Sequence, residues 1–308
     1  MIIQVLTTLF SLLCFILYHF NFFEIRHQRG NMRIKIITDS VCDIPDELIQ
    51  QYDIKVVPSY INIGNQSYLD GVEMTRKQFY DGLDSFPQHP KTAAPGPETY
   101  IRAYTQAAED GFDQVLSIHV ASNLSTIYNS TIKAASEVKI PVTVHDTQQL
   151  TLGAGLQVIT ASKMAEAGAT VKEIIEVITD LGNRTYVYAL LDTLKFLHLS
   201  GRINLAMRGI GSLLRIKPLM TFHSGNPIFE KVRTRGKAIE RMLTYVRNLG
   251  PLDHVSVVHT QALEAAKWLY QKAYSLIPVN NQPIYQMVTP AVGAHVGPNG
   301  IGLVCVTS

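Results

Sequence analysis

Residues 32–58, MRIKIITDSVCDIPDELIQQYDIKVVP, read as a strand, a turn, a helix and a second extended run, the opening of an α/β domain. Ile34–Thr38 is a short run rich in β-branched residues. Asp43-Ile44-Pro45-Asp46-Glu47 follows, with early acids that suit a helix start and its dipole. Lys55–Ile63 then returns to an extended pattern. Asp39-Ser40, just after the first strand, reads as a cap for the next turn rather than as a nucleophile.

Upstream of Met32 the text is of another kind. Residues 2–23, IIQVLTTLFSLLCFILYHFNFF, carry no Asp, Glu, Lys or Arg and are long enough to cross a hydrocarbon layer, which takes roughly 20 apolar residues. As a translated anchor, the segment would leave the body in the cytoplasm, because Arg26 and Arg29 follow it and no basic residue precedes it. A cleaved signal peptide fits less well, for want of a basic n-region and a small-residue cleavage site. The other reading is a start assigned upstream of the true one, Arg29-Gly30-Asn31 being encodable by a purine-rich ribosome-binding stretch ahead of Met32. Both readings place the body in the cytoplasm, with residues 1–31 as a hydrophobic leader.

Downstream, the helix and strand patterns alternate. Thr75 looks like the cap of a helix through Leu83, and Pro97–Ala108 is helical before the buried-strand pattern Gln114–Val120. A helix from about Ser125 to Val138, a strand at Val142–His145 and helices at Leu152–Ala167 and Val171–Leu181 complete a βαβα rhythm. That rhythm argues for a parallel sheet covered by helices. After about Tyr186 it gives way to a hairpin around Gly225-Asn226-Pro227, helices at Ala238–Asn248 and Leu263–Leu276, and strands at Val255–Thr260, Ile284–Val288 and Gly302–Val306. The expectation is an α/β domain over residues 32–185, a smaller α+β domain over 186–308, and a ligand cleft between them.

Composition narrows the function. The chain has 46% hydrophobic and 17% charged residues and a formal net charge of +2, without a basic stripe, so nucleic acid is a poor partner. Cys14, Cys42 and Cys305 form no CxxC, which argues against a zinc site or a disulfide framework. No phosphate loop, GxSxG elbow or HExxH pair occurs, and Gly153-Ala154-Gly155 lacks the third glycine of a dinucleotide loop. Four clusters in expected loops remain: Pro90–Pro95 with Thr92, Ser122–Thr126 with Ser125, Ser200-Gly201-Arg202, and Ala294–Gly300 with His295. Hydroxyls at a helix start cap the helix or face an anion, and for any one serine capping is the commoner role. Arg202 alone reads as a surface charge and His295 alone as structural. Together the clusters suggest a binder of a small anion between two domains, without cofactor or metal.

Taken in order, these residues resemble the DegV family, bacterial fatty-acid-binding proteins that serve a fatty acid kinase. The resemblance runs from Met32 to Ser308. It rests on Ile37-Thr38-Asp39-Ser40, Asp43-Ile44-Pro45, Val56-Val57-Pro58, Tyr68-Leu69-Asp70-Gly71, Thr92, Leu124-Ser125 with Tyr128, and Asp146 with Gly153-Ala154-Gly155. It continues with Gly201-Arg202-Ile203, Ile216-Lys217-Pro218 and His295-Val296-Gly297-Pro298. It implies a Rossmann-like parallel α/β domain with a small insertion at about 62–85, joined to an α+β domain, with a long-chain fatty acid between them. Thr92 and Ser125 would then donate hydroxyl hydrogen bonds to the carboxylate, with Ser122 beside them, and Arg202 and His295 would complete the polar network. The implied role is non-catalytic: to present the carboxylate to an ATP-dependent kinase for acyl phosphate formation in phospholipid synthesis, with at most transient membrane contact. The competing readings are a small-molecule kinase subunit related to dihydroxyacetone kinase, and a lipid sensor tethered through residues 2–23. Thr126 and Ile127 stand where the family commonly has Gly and Thr, and Asn299 where it has Gly, departures that bear on ligand choice.

Overall fold

The structure is a computed structural model that describes residues 32–202, 216–276 and 282–308. The leader and Ile203 lie outside the described residues.

Strand β1 (Ile34–Asp39) is buried along its whole length, as a parallel strand covered on both faces must be. It pairs in parallel with β2 (Lys55–Val57) and with β6 (Gln114–His119), and β6 pairs in parallel with β7 (Val142–Asp146). The order is β2-β1-β6-β7. Alternation along the strands divides the core. Ile34, Ile36, Leu116 and Ile118 share one cluster, whereas Ile37, Val57 and Val115 join another on the opposite face. Helices α3 (Pro97–Glu109) and α4 (Ile127–Ala135) cover the second face, and α5 (Thr151–Glu166) and α6 (Val171–Asn183) the first. The chain changes direction across the sheet between β1 and β6, so the crevice beyond their C-terminal ends is where such a sheet takes ligands.

A second sheet has the order β10-β9-β8-β13-β11-β12. Its strands are β8 (Thr185–Leu190), β9 (Lys217–His223), β10 (Asn226–Val232), β11 (Leu252–His259), β12 (Tyr285–Met287) and β13 (Ile301–Thr307). Every neighbouring pair is antiparallel except β11 with β12. Helices α8 (Arg235–Asn248) and α9 (Leu263–Leu276) pack on one face. The other face meets the rest of the molecule through short helices α7 (Lys195–Leu199) and α10 (Pro290–Val296). A small antiparallel sheet, β4-β3-β5, sits beside them. Its strands are β3 (Tyr60–Ile63), β4 (Gln66–Leu69) and β5 (Lys91–Ala93), followed or preceded by α1 (Asp46–Gln51) and α2 (Arg76–Gly82). Thr75 caps α2 in a reciprocal capping box with Gln78.

The mixed α/β architecture matches the sequence expectation; some elements do not. The helix expected from Ser125 to Val138 spans only Ile127–Ala135. Strands β4, β5 and β8 and helix α10 were not foreseen, so His295 sits in the last turn of a helix rather than in a loop. Gly155 has a packing role: a Cβ there would lie 2.4 Å from the Cys42 carbonyl oxygen, so only glycine lets α5 approach the turn after β1.

Candidate functional site

Strands β1 and β6 end side by side, and buried side chains tie the ends together. Asp39 Oδ1 accepts from the Val41 N–H at 3.0 Å, capping the short 3-10 turn Ser40–Cys42. Asp39 Oδ2 accepts from the Val120 N–H at 3.2 Å and lies 2.9 Å from His119 Nδ1. His119 Nε2 is 2.7 Å from Ser117 Oγ, which is 2.8 Å from the Tyr104 hydroxyl. The capping role of Asp39 was legible in sequence, but its partner His119 was not. None of these polar side chains lines the neighbouring cavity; Val41 and Val120, which they hold in place, do.

That cavity, about 380 Å³, lies between the parallel sheet, the small sheet, β9–β10 and α10. Its volume is within the ~300–1,000 Å³ range of small-molecule sites. Thr92, Ser122, Ser125, Arg202 and His295, the five residues singled out from sequence, all line it. Pairing of Thr92 with Ile61 in β5–β3 sets the Thr92 position. Its hydroxyl lies 3.0 Å from His295 Nε2, a contact that joins residues from opposite ends of the chain. Ser125, one residue before the N-cap Thr126, accepts through Oγ from the first N–H of α4, that of Ile127, at 3.3 Å, while its own O–H stays available. Ser122 is exposed, and its N–H is held by Asp146 Oδ1 at 3.2 Å. Arg202 is exposed just after α7, where its N–H donates to the Leu197 carbonyl at 2.8 Å. Much of the remaining lining is apolar, including Leu150, Leu197, Met220, Phe222, Phe229 and Val292.

Burial, reinforced by the charge of Arg202, pushes the His295 imidazole down to about 4, and its Nδ1 is buried without a partner. The ring is therefore neutral near pH 7. Thr126 has φ −79°, so the glycine-to-threonine departure is met without backbone strain, and Ile127 is buried in the core. Asn299 takes φ +61°, a conformation asparagine tolerates. Asn123, a member of the Ser122–Thr126 cluster to which sequence assigned no role of its own, donates from its amide to the Gly225 carbonyl, and the Gly225 N–H donates to the Gln148 carbonyl at 2.8 Å. These bonds tie the β9–β10 turn to the loops of the parallel sheet.

The helix that carries His295 is anchored at its other end by acids. Asp43, at φ +49°, accepts from the Thr289 N–H at 2.6 Å and from the Thr151 hydroxyl. Burial raises its carboxyl to about 6. Asp70, also buried, is raised to about 7, mainly by burial and further by the Asp43 charge. Its oxygens face the Ser40 hydroxyl and the Ala291 N–H without closing a hydrogen bond to either. Among the described residues there is no cluster of three or more His, Cys, Asp or Glu that could hold a metal, and no helix long and apolar enough to cross a membrane.

Comparison with known proteins places this geometry. A DegV domain-containing protein of Caldanaerobacter subterraneus is 32% identical over 277 residues, covering 88% of this chain and 98% of the relative. A DegV family protein from Thermus thermophilus, whose structure is described as showing fatty acid binding, superposes with a TM-score of 0.82 at 30% identity. The match covers 90% of this chain and all of that one. A stearic acid-binding protein from Eubacterium ventriosum superposes with a TM-score of 0.81 at 25% identity, covering 89% of this chain and 98% of its own. The family model described as "Uncharacterised protein, DegV family" matches residues 33–308. With sequence and fold in agreement over that whole span, the chain belongs to the DegV family.

Proposed function

We propose that the chain binds a long-chain fatty acid in this cavity and presents its carboxylate to an ATP-dependent fatty acid kinase, without chemistry of its own. The observation that carries the reading is the Thr92–His295 pair opening on a cavity whose remaining wall is largely apolar. With the ring hydrogen on Nε2, His295 donates to Thr92 Oγ1 and leaves the Thr92 hydroxyl proton free for an anion. Ser125 adds a second hydroxyl at the start of α4, where the helix dipole and free N–H groups favour negative charge. A buried carboxylate requires such donors, since leaving it unpaired is very costly. Exposed Arg202 supplies positive charge where the cavity meets the surface, the side from which a kinase would reach the head group.

The acyl chain supplies most of the affinity. About 14 buried methylenes at ~0.8 kcal/mol each contribute roughly 11 kcal/mol before ordering costs. The fatty acids bound by the T. thermophilus and E. ventriosum proteins support the ligand class.

The test is the double variant Thr92→Ala/Ser125→Ala, titrated with palmitate or oleate. Two lost hydrogen bonds to a charged group should weaken binding on the order of 100-fold or more, with circular dichroism and melting temperature little changed. Unchanged affinity in the folded variant would sink the carboxylate assignment.

A further inference from the structure

A second cavity of about 50 Å³ adjoins the first, lined by the central strands of the six-stranded sheet and α10. Its origin is a row across the sheet. Gly302 on β13 faces Ala189 on β8, which faces Met220 on β9, and directly opposed residues project from the same face. The short side chain of Ala189 leaves the space, Gly302 being closely backed by Val258, and Met220 stands at its border. Three polar residues also line it, but each is engaged elsewhere. Thr151 donates to Asp43, His259 Nδ1 accepts from the Ala262 N–H at 3.2 Å, and Thr260 Oγ1 accepts from the Gly300 N–H at 2.6 Å. The chamber therefore offers an apolar interior, and apolar chambers stay dry.

Leu150, Met220, Val292 and Val296 line both cavities and so form the partition between them. The two valines are stiff at χ1, whereas methionine is unbranched and has three rotatable side-chain bonds that let it re-pack at low cost. We propose that Met220 is the gate of a distal acyl chamber and sets the longest fatty acid chain that the protein accepts. The inference rests on the fatty-acid reading above. With Met220 across the partition the acyl tail ends in the larger cavity; with Met220 turned aside, the terminal methylenes of a longer chain enter the space beside Ala189.

The experiment uses the full chain, stripped of lipid and offered an equimolar mixture of saturated acids from myristic to arachidic, with bound species read by native mass spectrometry. Met220→Ala should shift the bound population toward longer chains, by about fifteenfold in ratio where two further methylenes are buried. Ala189→Ile fills the chamber with Met220 in place and should shift it toward shorter ones; this variant keeps the test open if Met220→Ala does not fold. A loaded wild type with the same chain-length ranking in the folded variants overturns the gate alone. A wild type that takes up no fatty acid overturns the binding reading and the gate with it.

Discussion

Asp70 is held where a carboxylate is expensive: buried, beside Asp43, and without a closed hydrogen bond. Its carboxyl is raised from 3.8 to about 7, so the folded chain holds that proton more tightly than the unfolded chain does. Linkage then gives a contribution to stability that is fully present below about pH 4 and is lost as pH rises through about 7. Asp70→Asn removes that slope, so the variant should gain on the wild type between pH 5 and 7.5, by about 1–3 kcal/mol. Urea unfolding across that range measures the difference, and a constant gap between the two proteins would contradict it. At this scale the sequence exposes residue types better than partnerships. Thr92, Ser125, Arg202 and His295 stood out because hydroxyls, a guanidinium and an imidazole fell in clusters between regular elements. The Asp39–His119 contact did not, because its members are 80 residues apart and no local pattern links them.

The elements that position the site differ in how plainly they are written. Helix α9 matches its expected bounds, Leu263–Leu276, because its apolar spacing is sustained over several turns. Strand β5 has three residues and α10 seven, too few for any period to show, yet these two deliver Thr92 and His295. The signal for α10 was present as Thr289-Pro290, proline being favoured in a first helical turn. Glycine at close contacts is the other legible device. Gly155→Ala should destabilise the protein by about 1–3 kcal/mol, because the added methyl meets the Cys42 backbone rather than a side chain that can turn away. An unchanged urea midpoint would show that α5 has room to shift.

At the scale of the whole molecule, one hydrophobic cluster joins parts that sequence patterns treat separately. Ile61 and Phe79 from the small sheet and its helix pack in the same cluster as Leu152 of α5, Phe222 and Val258 of the second sheet, and Ala291 of α10. The alternation of strands and helices made two layers of different kind legible, but not their shared core, since those contacts join distant segments. A ligand filling the space between the layers touches both, so its binding should stabilise the fold by mass action and lower the melting temperature of lipid-stripped protein relative to loaded protein. The most direct measurement is native mass spectrometry of the purified full chain, followed by denaturation and identification of the released small molecule. One fatty acid per folded chain is the expected result; a folded chain that is empty, and stays empty after incubation with fatty acids, would contradict the proposed function.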